Sequence, residues 1–72
     1  MTQDTSTKHI ELNTFLRINR VAGTGGQVKL IIRAGAVKVN GETETRNKRK
    51  LIIGDVVEYL DKKFEVKEEL IR

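Results

Sequence analysis

Leu12, Phe15 and Leu16 recur at the i, i+3, i+4 spacing of one helical face, and with Asn13 as the cap they predict a first helix of about two turns ending near Asn19 or Arg20. Val21-Ala22-Gly23 then turns the chain. Thr24 followed by Gln27 is a capping-box signature for a second helix, in which Val28, Ile31 and Ile32 share one face and Lys29 and Arg33, four apart, share another. Gly35 is placed to end that helix in the left-handed conformation. Val37-Lys38-Val39 alternates as a half-buried strand does, Asn40-Gly41 marks a tight hairpin, and Glu42 to Thr45 is the expected return strand.

A loop of Arg46-Asn47-Lys48-Arg49-Lys50 comes next, and Leu51-Ile52-Ile53 is apolar enough to lie against the core. Gly54-Asp55 turns the chain into a strand from Val56 to Leu60, Asp61-Lys62-Lys63 reverses it, and Phe64 to Lys67 returns as a last strand that Glu68 to Arg72 extends or frays from. No clear strand precedes the first helix, and residues 1–9 are polar without periodicity, a mobile tail. The pattern predicts one α+β domain over residues 10–72, with two N-terminal helices packed on a small, mostly antiparallel β-sheet.

Seventy-two residues bury only about 60% of the surface of the unfolded chain, which leaves little room for a deep enzyme pocket. There is no cysteine, so neither disulfides nor thiolate metal sites staple the fold, and a reducing cytoplasm is the expected location. No stretch approaches the roughly 20 apolar residues of a membrane span. His9, the only histidine, sits in the polar tail and reads as solvated. The acidic residues Glu42, Glu44, Glu65, Glu68 and Glu69 read as surface charges and ion-pair partners. The chain is therefore expected to be no enzyme and to use no cofactor, no metal and no small-molecule substrate, and nothing in it demands more than a monomer.

Charge is concentrated in the middle of the chain. Residues 12–57 hold nine basic residues against three acidic ones, whereas each flank carries a balance of −1. A basic segment between slightly acidic flanks draws in polyanions, and nucleic acid is the natural partner. Arg46, Lys48, Arg49 and Lys50 put four cations within five residues, a mutual repulsion that a phosphate backbone relieves. At Thr24-Gly25-Gly26-Gln27 two readings stand side by side: the first helical turn offers N–H groups to a phosphate that two glycines let approach, or Thr24 and Gln27 satisfy those donors themselves.

From Leu12, Phe15 and Leu16 through Gln27-Val28-Lys29, Ile31-Ile32, Gly35, Val37 and Val39-Asn40-Gly41 to Gly54-Asp55-Val56-Val57, the chain resembles the S-four or alpha-L RNA-binding domain. That module is shared by a small-subunit ribosomal protein, tyrosyl-tRNA synthetases, pseudouridine synthases and some ribosome-associated stress proteins. The resemblance is to the compact, stand-alone bacterial members. It implies that the second helix and the adjoining strand-loop surface form the RNA-contact face. Family members often carry Ser-Arg where Gly25-Gly26 stand, so one expected phosphate contact is missing.

Gly23-Thr24-Gly25-Gly26 also fits the G-x-x-G loop of KH modules, but the hairpin and late strands follow the helices here. A DNA-reading helix-turn-helix would have to read bases from a second helix whose middle is Leu30-Ile31-Ile32. The only aromatic left for stacking, after Phe15 and Phe64 are assigned to the core, is Tyr59. The expected function is thus non-catalytic recognition of structured RNA, ribosomal or transfer RNA, on the ribosome or its assembly intermediates. Lys29, Arg33, Lys38, Arg46, Lys48, Arg49 and Lys50 would meet phosphates, and Thr24, Gln27 and Asn47 would add neutral hydrogen bonds. The competing class is a ribosome-associated adaptor that docks on an acidic protein surface.

Overall fold

The computed structural model describes residues 9–68. The expectation of a tail over residues 1–9 lies, but for His9, outside the described residues, and so does that for Glu68 to Arg72 apart from Glu68. In chain order the elements are β1 (Ile10–Glu11), α1 (Leu12–Ile18), α2 (Gly25–Arg33), β2 (Val37–Val39), β3 (Glu42–Thr43), β4 (Lys50–Leu51), β5 (Val56–Tyr59) and β6 (Lys62–Glu65). A four-stranded antiparallel sheet runs β3-β2-β5-β6, and β1 pairs with β4 in a separate two-stranded antiparallel ladder. Two helices and antiparallel sheets make the α+β class expected from the pattern.

One cluster joins the layers. Leu12, Phe15 and Leu16 of α1 and Val28 and Ile32 of α2 are buried with Val37, Val39 and Val57 of the sheet, and with Ile10, Leu51 and Val66 from its margins. Each fully buried large side chain contributes about 1.5–3 kcal/mol relative to exposure, which is how a domain this short holds together.

Helix α2 begins and ends as its sequence predicts. The Thr24 hydroxyl accepts the Gln27 N–H at 3.2 Å, while Gln27 Oε1 accepts the N–H of Gly23, one residue before the cap, at 3.1 Å. At the other end Gly35 has φ +81°, and the N–H groups of Gly35 and Ala36 return to the carbonyls of Ile32 and Ile31, a Schellman ending. Asn40 and Gly41 both have positive φ, 53° and 86°, as a two-residue hairpin turn of type I′ requires.

Four expectations need correction. A short strand does precede α1: Ile10 pairs with Leu51 and Glu11 with Lys50. Asn13 lies within α1 rather than capping it, because the Leu12 and Asn13 N–H groups already donate to the carbonyls of Arg49 and Asn47 at 2.8 and 3.0 Å. Of Leu51-Ile52-Ile53 only Leu51 reaches the core; Ile52 and Ile53 are about half exposed in the turn closed by the Ile52 N–H on Asp55 Oδ2. Finally, Leu60-Asp61 alone reverses the chain, so the last strand starts at Lys62 and pairs with Tyr59.

Candidate nucleic-acid interface

The basic loop between β3 and β4 is a built structure. Its carbonyls at Asn47 and Arg49 receive the first N–H groups of α1, the Arg49 N–H turns back to the Arg46 carbonyl, and Lys50 enters the ladder with Glu11. Because the start of a helix has N–H groups with no partner inside the helix, the loop and α1 each satisfy what the other leaves open. The result is a pocket of about 430 Å³ lined by Arg46, Lys48, Arg49 and Lys50, the four cations of the sequence cluster brought to one concavity.

Glu44 holds this pocket together: it is an ion-pair partner, as expected, but a buried one rather than a surface charge. The Asn40-Gly41 hairpin places Glu42 opposite Val39, and the Glu44 N–H donates to the Val37 carbonyl, so Glu44 falls on the core-facing side of the sheet. It is only 6% exposed. Its Oε2 accepts from Arg46 Nε and from the Arg46 backbone N–H, both at 2.9 Å; Oε1 accepts from Arg46 Nη2 at 3.2 Å and from Arg49 Nη1 at 2.6 Å. The Arg46 side-chain hydrogen bond pulls the Glu44 carboxyl down to about 2, burial opposes the shift, and Arg49 adds to it. Arg46 in turn is held still more firmly protonated by its hydrogen bond to Glu44. Strand β3 stops at Thr43 instead of Thr45 because the chain turns in to make these bonds.

The other candidates are distributed over several faces. Lys29 and Arg33 are exposed on α2, on a different flank from the buried Val28 and Ile32. Lys38 is exposed between buried Val37 and Val39, hence on the sheet face turned away from the helices, where its cross-strand neighbours are Thr43 and Glu58. The strand register therefore sets Lys38 on the opposite face of the sheet from Glu44, which leads into the loop. Asn47, in the same loop, is half-buried, and its Oδ1 is buried without a hydrogen-bond partner among the described residues.

At the head of α2 the Thr24 hydroxyl takes the Gln27 N–H and Gln27 Oε1 takes the Gly23 N–H, as the capping reading of Thr24-Gly25-Gly26-Gln27 expects, while Gly25 and Gly26 are exposed. One cation was missed there. The Arg17 side chain lies beside Gly25, its Cδ and Nε 3.6 and 3.7 Å from where a Cβ on Gly25 would stand. Its place in the last turn of α1, seven residues before the next cap, was the available signal.

A more apolar cleft of about 370 Å³ is lined by Val21, Ala22, Gln27, Leu30, Ile31 and Tyr59, on the flank of α2 away from Lys29 and Arg33. Among the described residues no group of three or more His, Asp or Glu is placed to hold a metal ion, and no helix is long and apolar enough to cross a membrane.

A family model described as the S4 domain matches residues 4–67. The chain is 37% identical over 51 residues to YbcJ of Escherichia coli (strain K12), whose name proposes RNA binding; the match covers 71% of this chain and 73% of that protein. It is 42% identical over 52 residues to RlbA of Bacillus subtilis (strain 168), named as a probable ribosome maturation protein, with 72% and 73% covered. The family model spans most of the chain, and the relatives it resembles are matched over most of their own length: the chain belongs to the S4 domain family.

Proposed function

We propose that this protein binds structured RNA, ribosomal or transfer RNA, as a cytoplasmic monomer without catalysing a reaction. The observation that carries the reading is the pocket of Arg46, Lys48, Arg49 and Lys50, held in shape by the α1 backbone and by Glu44. Four cations in one concavity form a site for phosphate oxygens, and counterion release makes their neutralisation favourable. Lys29 and Arg33, with Arg17 and the open N–H groups of Gly25-Gly26, extend the positive surface along the helices. Lys38, next to Glu58 on the other face, contributes less. Tyr59 lines a different cleft from the four loop cations, so they offer no aromatic stacking, and RNA shape rather than base identity sets the preference. The names of the matched relatives, one for RNA binding and one for ribosome maturation, support the same class of partner.

The test is fluorescence-anisotropy binding to a folded ribosomal RNA fragment, a single strand and a DNA duplex of matched length across a salt series. With about five phosphates engaged, the log–log salt slope is expected at roughly −3.5 to −4.5. Lys48→Ala/Lys50→Ala, which leaves the Glu44 pairs intact, is expected to reduce its magnitude by about 1.5 and to weaken folded-RNA binding most. Equal weak binding to all three, unchanged by the mutation, would sink the reading in favour of docking on an acidic protein surface.

A further inference from the structure

Glu44 is the one buried charged residue among the described residues, and it is placed within a cluster of opposite sign. Its two oxygens receive three N–H groups of Arg46 and one of Arg49, so both guanidiniums are fixed relative to each other and to the sheet. Arg46 is nevertheless 73% exposed at its side chain, and Arg49 is partly exposed, so each still presents N–H groups outward. Four cations and one carboxylate leave the pocket a formal charge of +3 within about 430 Å³.

A phosphodiester carries one negative charge. An extended strand passes its phosphates one at a time, and each leaves most of that charge uncompensated. Two or three phosphates drawn together by a kinked backbone or a strand junction match it. Fixed guanidiniums sharpen the difference, because planar forks held in one geometry reward a matching arrangement of oxygens, whereas free arginines follow single phosphates independently.

From this geometry we infer that Glu44 is a positioning residue that makes the basic pocket select RNA sites where backbone phosphates converge over phosphates of an extended strand. This rests on the RNA-binding reading above and adds to it the kind of RNA site. Glu44 does not touch the ligand; it lowers the charge of the pocket by one and sets the angle between two of its arginines.

The experiment compares binding of wild type, Glu44→Gln and Arg46→Lys/Arg49→Lys to a hairpin RNA kinked by an internal bulge and to a single strand of the same length, across salt, with thermal unfolding of each variant. Wild type prefers the kinked RNA. In Glu44→Gln, which adds one net positive charge, the single strand is held at least as tightly with a salt slope steeper by about 0.7, the kinked RNA is held more weakly, and the preference falls about tenfold. Arg46→Lys/Arg49→Lys keeps every charge but lacks the forks, so the preference falls similarly while the slope stays, and this variant decides the matter if Glu44→Gln does not fold. A purely structural role for Glu44 would weaken both RNAs together with no change in slope. A preference within about twofold of wild type in the folded variants would overturn the inference while leaving RNA binding intact; a wild type with no salt-dependent affinity for either RNA would overturn both.

Discussion

Glu44 shows how a residue's neighbours across the sheet decide its role more than its own type does. Along the chain it reads as one of two alternating acids in a polar stretch, the usual profile of a solvated edge. Its burial was still written in the sequence, in the hairpin: a two-residue Asn40-Gly41 turn sets Glu42 against Val39, and counting on sets Glu44 against Val37, whose face is the core. What no local pattern shows is that Arg46 and Arg49 would both turn back to it. The consequence for stability follows from its lowered carboxyl. Glu44 titrates at about 2 when folded against an ordinary 4.5, so its contribution is fully present above pH ~4.5 and is lost as pH falls from there toward 2. By linkage this amounts to at most about 3 kcal/mol. Urea unfolding from pH 7 to pH 2.5 is expected to show the wild type losing its advantage over Glu44→Gln progressively below pH ~4.5; a gap that stays constant over that range would contradict the pairing.

Helix ends were the most legible elements, and one of them breaks the rule that made the other legible. Both helices close with the same pair of backbone bonds: Gly35 and Ala36 on α2, Arg20 and Val21 on α1, where Arg20 donates to the Arg17 carbonyl and Val21 to the Leu16 carbonyl. The left-handed position is glycine on α2 but arginine on α1, with φ 54°. Because a side chain there is strained, the end of α1 could be placed only to within a residue or so, between Asn19 and Arg20, while Gly35 marked the end of α2. A substitution pair separates conformation from contact. Gly35→Ala is expected to cost about 1–2 kcal/mol, although its new Cβ would meet only Thr43 Cγ2 at an ordinary 3.6 Å, and Arg20→Gly to stabilise by up to about 1 kcal/mol. Thermal unfolding of the two variants should move in opposite directions. The β5–β6 turn follows the α1 pattern: Leu60, φ 57° and 76% exposed, stands where glycine is the usual choice, which is why the reversal was read one to two residues late.

For the molecule as a whole, the two hairpins and most of the core came from local patterns, whereas the β2–β5 pairing and the junction of chain start and basic loop did not. Ile10–Glu11 and Lys50–Leu51 are two-residue strands, too short to announce themselves by alternation, and only their pairing makes either one a strand. Leu51 connects that ladder to the core, and its neighbours Ile52 and Ile53, indistinguishable from it by hydropathy, do not. Leu51→Ala should therefore destabilise the domain by about 2–5 kcal/mol, and Ile52→Ala by less than about 0.5 kcal/mol, in chemical denaturation. Equal effects would mean that the loop is not anchored through Leu51. The partners in this ladder are about forty residues apart, about twice the separation across β2 and β5, so its closure carries the largest loop entropy of any strand pair among the described residues. The hairpins and helices are local and can form first. On a growing chain, then, α1 exists without the carbonyls that complete its first turn until the segment through Leu51 has been made, and the basic pocket takes shape late, timed by the order in which the chain is synthesised.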